Sequence, residues 1–439
     1  MQRITLGVVC LARTTFDWEE AGRIYRRTRE EMETNIPEID WVFIDDLVIE
    51  VEDAQKAGAR LQAGNVDGVV IISGTFHLGH LALIIDRAVR KPVLLWAFNE
   101  LPYNGGKIRL NSVCGVNLNA SNLYKAGNDC YSCIVSDSID TKWIDALRIK
   151  TALERAHFGL VGFRAHGFFN LAPDELRNFN EAGVLLDHYE IADMFERGVP
   201  EAEIAKEEER VRSLFNCSQV SSDQVRKVAR LCATARDFLA ANRLDAVAVR
   251  CWPEYAAKYG IAPCAMMSVL QSFGNILTCE GDVEGSMSML AMKAVGVETP
   301  FLADLSQIDF KENFALMWHC GVAPVNLWDK QCECSLDTYF AGGRGVTADF
   351  VMKSGPVNIV RIDSARGKTR VFIARGEALP MEKLLKGTYA KVRFERHVGE
   401  LLETVTSTGV AHHVSMAYGE YLAVFRKFAK MMGWEVIEG

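Results

Sequence analysis

No apolar run in this chain of 439 residues is long enough to span a bilayer, because a spanning helix needs about 20 consecutive apolar residues. A helical membrane protein is therefore excluded. Phosphate-cradling loops are missing as well. Ser73-Gly74-Thr75-Phe76-His77-Leu78-Gly79 has neither the glycine spacing of a dinucleotide fingerprint nor a P-loop lysine. No Gly-x-Ser-x-Gly elbow supports a serine hydrolase. Neither Cys130-Tyr131-Ser132-Cys133 nor Cys332-Glu333-Cys334 has a second ligand pair at zinc-finger spacing, so structural zinc is not expected. Positive charge is not in excess: the net charge is −8, which argues against nucleic acid or a membrane surface as partner. The N-terminal segment Ile4–Cys10 lacks a small-residue cleavage site and leads into a helical pattern. It reads as a first strand and not as a signal peptide. Internal repeats and low-complexity linkers are absent, and histidine is scarce, with nine in all.

What is present is material for well-filled cores. Hydrophobic residues make up 49% and charged residues 24%, which suits two or three domains. The 12 cysteines are scattered, and Cys10, Cys232, Cys264 and Cys279 lie inside apolar segments. That is the pattern of reduced, buried thiols, and a cytoplasmic setting is expected. Apolar runs near 4–12, 40–48, 68–73 and 92–97 alternate with helical patterns near 18–35, 51–64 and 78–89. This βαβα order predicts a parallel sheet covered on both faces. A second α/β unit starts near Gly159, with helices near 200–214 and 221–241 and a strand at Ala246–Arg250. From about residue 300 the runs Val357–Ile362 and Thr369–Ala374 alternate with period two around a turn at Asp363–Lys368. They predict a mainly antiparallel β region, closed by a helix near 417–432.

Two carboxylates stand out. Glu280 follows Asn275-Ile276-Leu277-Thr278, and Asp304 follows Pro300-Phe301-Leu302-Ala303. An acid at the end of a buried strand is costly without a partner. Asp282 and Glu284 crowd the first. If a helix begins at 280, Glu280 and Glu284 share a face and repel unless a cation lies near them. The plainer reading is a helix N-terminus whose dipole favours acids. His412-His413 comes late in the chain, and neighbours in a strand point to opposite faces, so one of the pair is expected at any given site. His319 is a second candidate imidazole. Carboxylates and imidazoles without thiolates suit Mn²⁺, Mg²⁺ or Co²⁺. They also supply the two proton-transfer groups that moving hydrogen between adjacent carbons requires. The Ser73–Gly79 loop sits where open α/β sheets bind ligands, which makes Thr75 and His77 candidate contacts. Arg13, Arg164 and Arg250 lie at or just past strand-like runs, where they could face a cleft.

Arg250-Cys251-Trp252-Pro253-Glu254, Pro263-Cys264, Cys279-Glu280-Gly281-Asp282-Val283-Glu284-Gly285, Asp304 and His412-His413 together resemble the L-fucose isomerase and L-arabinose isomerase superfamily. The match is strongest over about 246–330 and the last thirty residues, and the length fits the compact fucose-isomerase-like group. The resemblance implies an α/β protein with two Rossmann-like α/β domains followed by a β-rich, antiparallel barrel-like C-terminal domain. The divisions would be a substrate-binding domain at 1–150, a second α/β domain at 151–300 and the β-rich domain at 301–439. It implies a Mn²⁺-dependent aldose–ketose isomerase, with Mg²⁺ or Co²⁺ as alternatives. Glu280, Asp304 and His413 match the metal ligands, and the two acids also carry protons through a cis-enediol. His319, Arg13, Thr75, His77, Arg164, Arg250, Trp252 and His412 are then expected around the sugar. The resemblance further implies homo-oligomers with shared active sites. The compact group includes isomerases of sulfoquinovose, which yield sulfofructose; a neutral sugar such as L-fucose or L-arabinose is the alternative substrate. A sugar-binding protein without catalysis is the alternative of another class.

Overall fold

The computed structural model describes residues 1–36 and 38–439. Two compact units emerge, Met1–Thr151 with Lys427–Gly433, and Ala152–Arg426 with Trp434–Gly439.

In the first unit β1 (Ile4–Leu11), β2 (Ile39–Phe43), β3 (Gly68–Ser73), β4 (Val93–Ala97) and β5 (Tyr131–Val135) form a parallel sheet in the order β2-β1-β3-β4-β5. β3 and β4 are buried along their whole length, as strands covered on both faces must be. That explains their continuous apolar runs. Helices at Trp18–Asn35, Val51–Ala63 and His80–Val89 follow the expected pattern. The strand order reverses between β1 and β3, so their carboxyl ends form a switch-point crevice.

The second unit opens with another parallel sheet. β6 (His157–Val161), β7 (Leu185–Tyr189), β8 (Ala246–Val249) and β9 (Leu277–Thr278) run in the order β7-β6-β8-β9. Helices Glu201–Leu214 and Ser222–Asn242 connect β7 to β8. The second begins with a capping box: Gln224 N donates to Ser221 Oγ at 3.2 Å, and Ser221 N to Gln224 Oε1 at 2.9 Å.

The remaining strands are β10 (Phe301–Asp309), β11 (Phe314–His319), β12 (Ser335–Asp337), β13 (Thr347–Val351), β14 (Gly355–Ala365), β15 (Lys368–Leu379), β16 (Thr388–Phe394), β17 (His413–Tyr418) and β18 (Glu435–Glu438). Their order is β12-β13-β16-β11-β10-β17-β14-β15-β18, and β15 also pairs with β16. That extra pairing closes six antiparallel strands, β16-β11-β10-β17-β14-β15, into the expected barrel. Gly376 makes the closure possible, because a Cβ there would lie 2.6 Å from the Arg393 carbonyl oxygen. Leu305, Met317, Ile359, Phe372, Phe394 and Val414, one from each barrel strand, line a small apolar cavity with Leu401 and Val405 of helix Val398–Thr408. The predicted turn between β14 and β15 is the two-residue loop Arg366-Gly367. The expected final helix runs from Leu422 to Met432, after β17.

Candidate active site

The carboxyl ends of β6, β8 and β9 meet the start of β17 and the middle of β10 around Glu280. The chain leaves β9 through a tight turn at Cys279–Gly281, in which Glu280 has φ 63° and ψ 13°. Helix Val283–Ala294 begins only after that turn, with Asp282 as its cap. The shared helical face considered for Glu280 and Glu284 therefore does not exist. Glu284 instead reaches Arg361 Nη2 at 3.5 Å and accepts from the Ser364 hydroxyl.

Asp304 was expected at a strand end. It lies within β10, paired in register with His413 of β17 on one side and Trp318 of β11 on the other. The acid is tolerated there because β10 and β17 place it opposite an imidazole. His413 Nε2 lies 3.5 Å from Asp304 Oδ1 and 3.5 Å from Glu280 Oε2. His412 Nε2 lies 3.5 Å from the same Glu280 oxygen, so both members of the pair face one site. Period-two alternation does not separate them because β17 starts at His413, leaving His412 outside the strand. His412 is fixed by stacking on Phe168, with centroids 5.4 Å apart, and by Asn170 Nδ2 at 3.1 Å from its Nδ1. Trp252 Nε1 donates to Glu280 Oε1 at 3.4 Å.

The ring nitrogens divide the roles. His413, 1% exposed, has Nδ1 2.9 Å from Asp282 Oδ2. Asp282 takes Arg361 Nη1 on the same oxygen at 2.5 Å and Gly285 N on Oδ1 at 2.8 Å. Asp282 and Arg361 are both 0% exposed. Burial pushes the Asp282 carboxyl up, but Arg361 and His413 outweigh it and hold it well below the usual carboxylate range. Burial also pushes Glu280 up, and the nearby His412 ring with the charges of His413 and His319 brings it below its ordinary value. His319 ends β11 and is buried. The main-chain N–H of Cys320 donates to its Nδ1 at 2.9 Å. Burial disfavours charge on this ring, but Cys320, Asp304 and Glu280 outweigh it and raise its pKa to about 10. The Cys320 N–H at Nδ1 requires a lone pair there in the neutral ring, so Nε2 carries a proton whether the ring is neutral or charged.

Three buried polar atoms at this site have no hydrogen-bond partner: Glu280 Oε2, Asp304 Oδ1 and His319 Nε2. Buried polar groups are rarely left unpaired without a reason. Donor atoms of Glu280, His412 and His413 lie within 4.8 Å of one another, as do those of Asp304, His319 and His413. A divalent cation would satisfy the orphaned oxygens, and an oxygen-and-imidazole set without thiolate suits a hard or borderline ion.

Two of the arginines differ in their pairing. Arg250 pairs with Glu254 at 2.8 Å. Arg164 follows β6 in the loop whose Ala165 N–H donates to the Glu280 carbonyl at 2.8 Å. It stacks over Phe169 at 4.5 Å, has a buried Nε without partner and has no acidic partner among the described residues. In the first unit, Arg13 N donates to Thr75 Oγ1 at 2.9 Å at the β1–β3 switch point. His77 is fully buried, with its ring nitrogens 2.9 Å from the Thr75 carbonyl and 3.2 Å from Asn119 Oδ1. It braces the loop, and any influence on a sugar passes through Thr75. Arg361, Phe168 and Asn170 were missed in the sequence. Only Arg361 carried a signal there, as a charge inside an apolar strand.

Comparison with known proteins follows the same division. Residues 7–146 match the fucose/sulfoquinovose isomerase N-terminal domain and 317–438 the L-fucose isomerase C-terminal domain. A sulfoquinovose isomerase of Priestia aryabhattai is 27% identical over 445 residues, covering 99% of each chain. That of Alkalicoccus urumqiensis is 23% identical, also over 99% of each.

Proposed function

We propose that this chain, which belongs to the fucose isomerase family and is an aldose–ketose isomerase, converts sulfoquinovose to sulfofructose. The observation that carries the chemistry is the meeting of two unpaired buried carboxylate oxygens, Glu280 Oε2 and Asp304 Oδ1, at one imidazole nitrogen, His413 Nε2. Glu280, Asp304 and His413 would hold a divalent cation, Mn²⁺ with Mg²⁺ or Co²⁺ as alternatives. Bound there, it would supply Lewis-acid polarisation of the sugar's C1 and C2 oxygens. One of the two carboxylates takes the C2 proton, the other moves the hydroxyl proton, and return of a proton to C1 of the cis-enediol gives the ketose. Trp252 donates to Glu280 Oε1 and so fixes the orientation of that carboxylate. His319, with its proton on Nε2, donates to a sugar oxygen, and His412 keeps Glu280 ionised. Arg13 and Thr75 at the first sheet's crevice are assigned to sugar binding in a homo-oligomer with shared sites, and Arg250 orients Glu254 near the cleft.

The relatives' substrate supports the sulfonate, and Arg164 is our assignment for its recognition. A guanidinium without a carboxylate partner is free to bind an oxyanion in bidentate fashion. The test compares sulfoquinovose with quinovose, its neutral 6-deoxy analogue lacking the sulfonate. Arg164→Gln is expected to raise KM for sulfoquinovose by about 10- to 100-fold, the loss of one charge-assisted pair, with little change for quinovose. Equal losses on both sugars count against the assignment. No turnover of sulfoquinovose by the Mn²⁺-loaded wild type counts against the substrate itself.

A further inference from the structure

We infer that Asp282, clamped by Arg361 and the Gly285 N–H, is a positioning residue that sets the tautomer of His413. The inference rests on the metal-holding role assigned to His413 only for its consequence, and its geometry stands alone. Asp282 has two oxygens and three donors. Oδ1 accepts Gly285 N at 2.8 Å, and Oδ2 accepts Arg361 Nη1 at 2.5 Å and lies 2.9 Å from His413 Nδ1. An ionised carboxylate only accepts, so the third contact is a hydrogen bond only if His413 carries its proton on Nδ1. In the neutral ring the lone pair is then on Nε2, the nitrogen that faces Glu280 Oε2 and Asp304 Oδ1 at 3.5 Å. The opposite tautomer would aim a lone pair at a carboxylate.

The burial of the network argues for function over stability. Asp282 and Arg361 are 0% exposed, and His413 is 1% exposed. Removing two charges from water costs several kcal/mol per ion in effective terms, and such pairs are often no better for stability than apolar replacements. What the network supplies is orientation. Asp282 is tied to the first turn of helix Val283–Ala294 through Gly285 and to β14 through Arg361, so the imidazole is braced by two elements. Acceptors behind an imidazole fix its ring and raise its basicity, and their loss weakens metal binding by about 10- to 100-fold.

An Asp282→Asn side chain is nearly isosteric but has one acceptor oxygen, so it cannot serve all three donors. The probe is Mn²⁺ alone, titrated into metal-free full-length protein and followed by the paramagnetic resonance of the free ion, with folding checked by circular dichroism. Asp282→Asn is expected to weaken Mn²⁺ binding by about 10- to 100-fold. Combined with His413→Gln it should be no weaker than His413→Gln alone, because the effect runs through that ring. A folded Asp282→Asn variant that binds Mn²⁺ like wild type, or losses that multiply in the double variant, overturns the inference. Glu280→Gln separates it from the metal reading: if that variant also binds normally, the metal assignment has failed. The imidazole ¹⁵N spectrum of wild-type protein labelled at histidine decides the tautomer without metal or substitution. A proton on Nδ1 of His413 is expected, and a proton on Nε2 alone overturns the inference even where the Asn variant does not fold.

Discussion

At Glu280 the backbone is part of the site. Its φ of 63° lies in the left-handed region, which costs a non-glycine residue about 1–3 kcal/mol and persists only where the surroundings enforce it. The turn aims the carboxylate at His413 instead of continuing into the helix. Glu280, Asp304 and the His412-His413 pair stood out in the sequence because each lies beside an apolar run, and the family resemblance singled out His413. Arg361 stood there as a charge inside an apolar strand yet gave no role, because Val357–Ile362 reads as a half-exposed strand, whereas every residue from Val357 to Asp363 is buried. Arg361 can neutralise only one of its two acidic neighbours fully. Asp282, at 2.5 Å, wins over Glu284 at 3.5 Å. Burial and the nearby Asp363 push Glu284 up to about 7, with Arg361 opposing them. A carboxyl whose folded value lies above its unfolded one favours the fold while protonated. That contribution is whole below about 4.5, the ordinary carboxylate value, and is lost as pH rises to about 7. Glu284→Gln keeps the neutral state throughout. Its thermal midpoint relative to wild type should therefore climb as pH is raised across that window. A constant difference would show that Glu284 titrates normally.

Among the elements, the turn between β9 and helix Val283–Ala294 carries the most demanding geometry. Gly281 has φ 76°, and a Cβ there would lie 2.5 Å from the Phe163 carbonyl oxygen and 2.6 Å from Arg164 Cα. Both are main-chain atoms that cannot swing aside. Gly281→Ala should therefore push apart the Glu280 turn and the Arg164 loop. We expect activity to fall by at least about tenfold, corresponding to a misplacement of about 1 Å or less at the reacting groups, with the barrel still folded. Activity near wild type would show that the two loops move freely. Sequence periodicity located the long strands and helices because burial repeats along them. It failed at element starts. The separation expected for His412 and His413 assumed a strand through both, and β17 begins one residue later. Asp304 was read as a strand end because the apolar run stops there, yet β10 continues to Asp309 by pairing with β11.

For the whole molecule, two parallel sheets and a closed antiparallel barrel agree with the class expected from the order of apolar patterns. Closure was expected from the family resemblance and not from the patterns themselves, since pairing of β15 with β16 depends on register between distant segments. The barrel and the second parallel sheet together assemble the site, with Glu280 after β9, Asp304 on β10 and His413 on β17. A cation held between them, as we propose, would tie these elements together. Stripping divalent metal with a chelator should abolish isomerisation and lower the thermal midpoint. Mn²⁺ at 100 times its dissociation constant should restore about 2.7 kcal/mol. A midpoint indifferent to Mn²⁺ would show that the folded protein does not hold it.

The central claim is that Glu280 and Asp304 move the protons of an aldose–ketose interconversion. Its most direct test is proton NMR of sulfoquinovose incubated in D₂O with the Mn²⁺-loaded protein, wild type against a folded Glu280→Gln variant. The account predicts sulfofructose signals and solvent deuterium at the reacting carbon with wild type, and neither with the variant. Near-normal turnover by Glu280→Gln would contradict it.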